Sequence, residues 1–173
     1  AGRLAPSSGN VQNWRFVVVR DYAKRKKIAK ACYDQQWMED APVLIVVTAD
    51  PEQGERFYGS RGERLYTIQN CAAAIENMLL AATSLGLGSC WIGAFDESRV
   101  RTIVQLPENI IPHAIITIGY ADEQPLLPHK KRIEWIVGLE LWGGRRKSTP
   151  RGYISETWPN IIEGAKRVVK KKV

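Results

Sequence analysis

Between Glu63 and Leu85 apolar residues return every three or four positions, at Leu65, Ile68, Ala72, Ile75, Leu79 and Ala82. That spacing matches the turn of an α-helix and predicts one long helix with an apolar face. Ala72–Ala74 adds little bulk to it, and Gly86 and Gly88 close it. Such a face must be covered, and the flanking sequence offers extended segments to do so. Trp14–Arg20 carries the β-branched run Val17, Val18 and Val19, and Val43–Ala49, just after Pro42, is apolar on both faces. Ser89–Gly93 and His113–Tyr120 read as two further extended pieces. Asp21 is placed to cap a helix over Tyr22–Tyr33, and Asp96 one over Glu97–Gln105. Ala1–Ala5 reads as a last helical turn and Pro6–Asn13 as a turn-rich loop. Asp50–Gly62, with its glycines, proline and charges, reads as a surface loop. Strands and helices therefore alternate, which points to a three-layer α/β or α+β domain.

Several function classes fall away on composition. The longest apolar runs, Val43–Ala49 and Cys71–Ala82, are too short or too interrupted to cross a bilayer. Cys32, Cys71 and Cys90 have no paired spacing and few histidines near them, which argues against a zinc site and a disulfide framework and suits a cytoplasmic location. They read as small buried apolar side chains. Charge is uneven: Ala1–Pro128 holds 13 basic and 14 acidic residues, a net of −1, whereas His129 onward holds 12 and 4, a net of +8. A basic tail can attract a phosphorylated ligand or nucleic acid. The run Lys166, Arg167 and Lys170–Lys172 also suits the C-terminus of a helix over 154–173.

Three segments carry polar or glycine residues that folding alone does not demand. In RLAPSSGNVQNW, Arg3 to Trp14, the residues Ser7, Ser8, Asn10 and Gln12 crowd short donors and acceptors between a helix end and a strand. Such a loop can hydrogen-bond the edge of a flat heterocycle, or simply satisfy its own backbone. In NCAAAIENMLLAATSLGLGSCWIGAF, Asn70 to Phe95, Gly93 can lie against a ring face where a side chain would collide. In IPHAIITIGYADEQP, Ile111 to Pro125, a buried strand ends at Gly119–Tyr120.

In this order and spacing the segments resemble the nitroreductase family of FMN enzymes, over roughly residues 1–135. The resemblance implies an α+β fold with a central mixed sheet in three layers, an intertwined homodimer, and one FMN in each of two interface clefts. It also implies that NAD(P)H delivers electrons, departs, and is followed by a small acceptor such as a nitroaromatic or a quinone, a ping-pong cycle. Carried over residue by residue, Ser7, Ser8, Asn10 and Gln12 fall on the loop that reaches FMN from the partner subunit. Trp91, Ile92 and Gly93 fall on the strip beside the isoalloxazine, and Lys131 and Arg132 near the pair that holds the phosphate. Asn77 matches a helix position the family keeps as Asn. The flavin carries the chemistry, so no catalytic side chain, metal, nucleic acid or membrane is expected.

This sequence departs from that pattern in places. The family loop usually reads Gln-Pro-Trp where Gln12-Asn13-Trp14 stands, and often has Asp at the position of Asn70. The family's N-terminal helix and arginine cluster are expected to precede the segment present here. The expected organisation is a flavin domain over 1–138 and a basic extension from 139 to 173, packing on the partner through Trp142 and Trp158. Phe57, Tyr58 and Tyr66 are candidates for the substrate side. Alternatives are the same fold with other flavin chemistry (reductive dehalogenation or dehydrogenation), a homologue that has lost FMN, and a basic nucleic-acid binder, although the chain lacks interleaved aromatic and basic residues.

Overall fold

The computed structural model describes residues 1–138 and 140–142. Two compact units divide the chain, Ala1–Gln124 and Pro125–Val173. The helix expected over 154–173 lies outside the described residues.

In the first unit, a single 3-10 turn at Gly2–Leu4 and the polar loop lead into β1, Trp14–Val19. Helix α1, Tyr22–Ala31, is capped by Asp21, whose carboxylate accepts from the Lys24 N–H. Then come β2, Val43–Ala49, and α2, Pro51–Arg61. A π-turn at Gly62–Tyr66 joins α2 to α3, Thr67–Ser84. After it run β3, Gly88–Ile92, α4, Glu97–Val104, and β4, Ile111–Gly119. The second unit contributes α5, Ile133–Ile136. No helix among the described residues is long and apolar enough to cross a membrane.

The four strands form one sheet in the order β1-β2-β4-β3, with every pairing antiparallel. The fold is α+β, and no parallel pair of the expected mixed sheet lies among the described residues. Alternation along the strands sorts side chains to two faces. Leu44 and Val46 of β2, Ile115 of β4 and Ile92 of β3 pack with Ile28, Ala29 and Cys32 near α1 and Val100 of α4. On the other face Val47, Ala49, Ala114 and Ile116 pack with Cys71, Ala74 and Ile75 of α3. Helices thus cover both faces in three layers, and burying each Leu, Ile or Val contributes about 1.5–3 kcal/mol.

Three sequence readings change. Asp50–Gly62 is helix α2 and not a loop: Asp50 accepts from the Glu52 N–H and Pro51 opens the first turn. Gly54 and Gly62 serve close approach, because a Cβ on Gly62 would stand 2.1 Å from the Gly54 carbonyl oxygen, whereas Gly59 takes a left-handed φ of 57° at a kink. The second change is partial: on α3, Ile75 and Ala82 are buried as expected but Ile68 and Ala72 are not. The buried positions of α3 are Thr67, Asn70, Cys71, Ala74, Ile75 and Ala82, while Ile68 is 52% exposed. Cys90 is also exposed, on β3, instead of buried.

Candidate functional site

The polar loop is held in an unusual shape. Gly9, Asn10 and Gln12 all have positive φ, at 51°, 60° and 51°. Glycine accepts that region freely and Asn tolerates it, but a Gln there costs on the order of 1–3 kcal/mol. Gly9 is required twice over, because a Cβ would also run into the Tyr58 hydroxyl, 2.1 Å away. Tyr58 of α2 packs edge-on to Tyr66, with centroids 5.3 Å apart, and Arg61 donates from Nε to the Tyr66 hydroxyl at 3.0 Å. The candidate aromatic residues thus brace the loop, while Phe57 is 70% exposed beside them.

Hydrogen bonds fix the loop from inside. The Gln12 N–H donates to Ser7 Oγ at 3.1 Å, and Gln12 Nε2 donates to Asn10 Oδ1 at 3.0 Å. The Ser8 N–H donates to Asn70 Oδ1 at 2.9 Å, and Asn70 Nδ2 donates back to Ser8 Oγ at 3.1 Å. What remains pointing outward follows by subtraction: two serine hydroxyl protons, Asn10 Nδ2 and Gln12 Oε1. Gln12 Nε2 is taken up within the loop, donating also to the Asn10 carbonyl at 3.2 Å, which leaves Oε1 as the side chain's unengaged atom.

Trp91, Ile92 and Gly93 have three different dispositions. Ile92 is buried at 4% exposure and offers only backbone, while Trp91 stands half-exposed on β3. Gly93 is exposed, its φ is not left-handed, and a Cβ there would meet nothing closer than Trp91 Nε1 at 4.0 Å. The chain's own packing thus gives no reason for glycine at this position.

Beside Gly93 opens a cleft of about 470 Å³, bordered by Arg64 and Ile68, by Phe95 and Glu97, and by His113. His113 sits at a bulge in β4, where Val47 pairs with Ala114 but Thr48 with Pro112. Its Nε2 is buried with no partner among the described residues. Burial pushes its pKa below the usual histidine range, against the opposing pull of Glu97. None of Ser7, Ser8, Asn10 or Gln12 borders this cleft. Lys131 and Arg132 lie in the second unit, exposed and immediately ahead of α5.

Two important residues escaped sequence reasoning. Asn13 registered only as a missing proline, yet it is fully buried and donates from Nδ2 to the Asp50 carbonyl at 3.0 Å and to Thr67 Oγ1 at 2.8 Å. Asn70 registered as a departure in type, yet it ties the polar loop to α3. The available signal was two Asn residues at otherwise apolar positions, which, if buried, would have to find partners.

Comparison with known proteins follows the same lines. A sequence model of the Nitroreductase family matches residues 1–39 and 32–120. A protein of Archaeoglobus fulgidus, assigned as an NADH dehydrogenase/NAD(P)H nitroreductase, is 38% identical over 128 residues, covering 72% of this chain and 70% of its own. An NADH dehydrogenase of Thermus thermophilus is 32% identical, covering 82% of this chain and 81% of its own. Among solved structures, an FMN-dependent nitroreductase of Clostridium difficile superposes with a TM-score of 0.68 at 27% identity, over 82% of this chain and 83% of that one.

Proposed function

The chain belongs to the nitroreductase family, and from that premise we propose that it is an FMN-dependent oxidoreductase taking electrons from NAD(P)H and passing them to a small acceptor such as a nitroaromatic or a quinone. Bound FMN supplies the electron-transfer chemistry, which no side chain here could perform.

The residues present fit that group. Gly93 carries the reading: an exposed glycine that the fold itself does not require leaves open the face a flat ring needs. Trp91 and Ile92 extend that strip, Ile92 through its backbone. The outward hydroxyls of Ser7 and Ser8 and the Nδ2 of Asn10 donate to the cofactor, and Gln12 accepts from it. The family resemblance makes Lys131 and Arg132 the candidates for its phosphate, which a guanidinium would take as a planar fork and an ammonium as a point charge.

The working unit in this reading is a homodimer, with the loop of one copy meeting the glycine strip of the other. Two observations support it. The loop does not border the cleft beside its own Gly93. On α3, Leu80 is 60% exposed, apolar surface that a second copy would cover. Donor and acceptor use one cleft in turn, and unpaired thiols suit a reducing cytoplasm.

The visible spectrum of the purified protein tests the class. Bound-flavin bands are expected, and a protein that stays colourless after FMN addition overturns the reading. Initial rates at several acceptor concentrations should give parallel double-reciprocal lines; intersecting lines would rule out the ping-pong cycle.

A further inference from the structure

The polar loop is joined to the rest of the fold by a one-way relay of hydrogen bonds. Thr67 Oγ1 donates to the Gly62 carbonyl of the π-turn at 2.9 Å, so that oxygen can only accept from Asn13 Nδ2, at 2.8 Å. Asn13 must then turn its Oδ1 toward Asn70, which donates to it from Nδ2 at 3.0 Å. With its nitrogen so directed, Asn70 turns Oδ1 to the Ser8 N–H at 2.9 Å. Asn13 is fully buried and Asn70 is 4% exposed, so neither amide can exchange these partners for water. Each amide nitrogen donates to two acceptors, Asn13 to the Asp50 carbonyl and Thr67 Oγ1, Asn70 to Asn13 Oδ1 and Ser8 Oγ, so the orientation of each amide is dictated by the next.

We propose that Asn70 is a positioning residue for the cofactor: its carboxamide, oriented through Asn13 and Thr67, holds Gly9, Asn10 and Gln12 in their left-handed conformation and aims Ser8 and Asn10 at the flavin. The inference rests on the reading that this loop binds FMN. The family pattern that carries Asp at this position has Pro where Asn13 stands; beside Asn13 an aspartate of the same shape should fail, so bulk is not what matters. A carboxylate keeps the acceptor for the Ser8 N–H but sets its second oxygen against Asn13 Oδ1. Turning the Asn13 amide over does not repair this, since its oxygen would then face the Asp50 carbonyl.

The test compares wild type, Asn70→Asp and Asn70→Ala by FMN fluorescence titration, by the spectrum and midpoint potential of the FMN-saturated protein, and by hydrogen exchange at the Ser8 amide without FMN. Both variants should bind FMN about 10–100-fold more weakly, as expected for buried polar groups left unpaired. The Ser8 amide should exchange faster, and the bound flavin should show a displaced spectrum and a lower potential as donors move off its edge. Asn70→Asp affinity within about threefold of wild type overturns the inference. So does weaker binding with unchanged spectrum and potential, which would make Asn70 a stability residue only. A wild-type protein that binds no FMN defeats the reading of the loop itself, and is told apart because the variants then never enter the comparison.

Discussion

Gly93→Val separates what the fold requires from what the cofactor requires. In the chain alone the new side chain meets open space, since the nearest heavy atom to a Cβ is Trp91 Nε1 at 4.0 Å. Stability should therefore stay within about 0.5 kcal/mol of wild type, as for other exposed substitutions. A ring lying on this strip makes contact at about 3.5–4 Å, and valine methyls hold it roughly 2 Å farther off, a gap at which attraction is lost. If about 100 Å² of ring face loses its contact at about 25 cal/mol per Å², the cost is about 2.5 kcal/mol. That corresponds to a rise of roughly 100-fold in the FMN Kd. Fluorescence titration with FMN reads the affinity, and urea denaturation of the same preparation reads the fold. Gly119→Ala is the control with the opposite signature. Its Cβ would stand 2.8 Å from Pro42 Cδ, so it should lose about 1–3 kcal/mol of stability while the folded fraction binds FMN normally. A folded Gly93→Val protein with wild-type FMN affinity would refute the placement of the ring.

Three further outcomes follow from the packing and the titrating groups. Gly62→Ala sets a Cβ 2.1 Å from the Gly54 carbonyl oxygen, and urea denaturation should show a loss of about 2 kcal/mol or more because backbone must move. Burial holds the pKa of His113 below its ordinary value, so the unfolded chain binds a proton more readily than the folded one. Stability should be level above the unfolded pKa of about 6.5 and fall as pH drops below it, and His113→Leu should flatten that fall in urea midpoints measured from neutral to mildly acid pH. The Cys71 thiol is pushed up to about 12 and Cys32 to about 11 by burial, while Cys90 is exposed. Iodoacetamide at mildly alkaline pH should therefore add one group to the native protein, at Cys90, by mass spectrometry.

The parts of the fold legible in the sequence were those where one residue's chemistry decides locally. Asp21 and Asp96 cap the helices they were expected to cap, and the apolar run Val43–Ala49 is a central strand with those bounds. Where long-range packing decides, the reading slipped. Gly54 and Gly62 looked like loop formers because glycine is common in turns, but here they let two helical segments touch backbone to backbone. The local start signal was nonetheless present in Asp50-Pro51-Glu52. Along α3 a regular period predicted Ile68, Ala72 and Leu79 at the core. The π-turn at Gly62–Tyr66 precedes the helix proper; Ile75 and Ala82 of the expected face are buried, but Cys71 and Ala74 are buried in place of Ile68 and Ala72. A helical period read from sequence gives the spacing of a face but not its absolute rotation, which is set by what packs against it.

The candidate site divides along the same line, and the division bears on mechanism. Which segments matter was legible, because Ser7, Ser8, Asn10, Gln12 and Gly93 are residue types that a buried strand or helix does not call for. Which atoms point outward was not, since it depends on Asn70, 62 residues away from Ser8. The loop satisfies itself inward and leaves its hydroxyls and the Asn10 amide nitrogen outward. Its left-handed residues are held by hydrogen bonds the chain makes to itself. A ligand meeting such a loop need not supply the free energy of ordering it, which for a free chain is about 1–2 kcal/mol per residue. The strain at Gln12 is thus met during folding, by the buried Asn13–Asn70 pair, and not during binding. Substitutions in that pair should therefore weaken the cofactor while touching no atom of it.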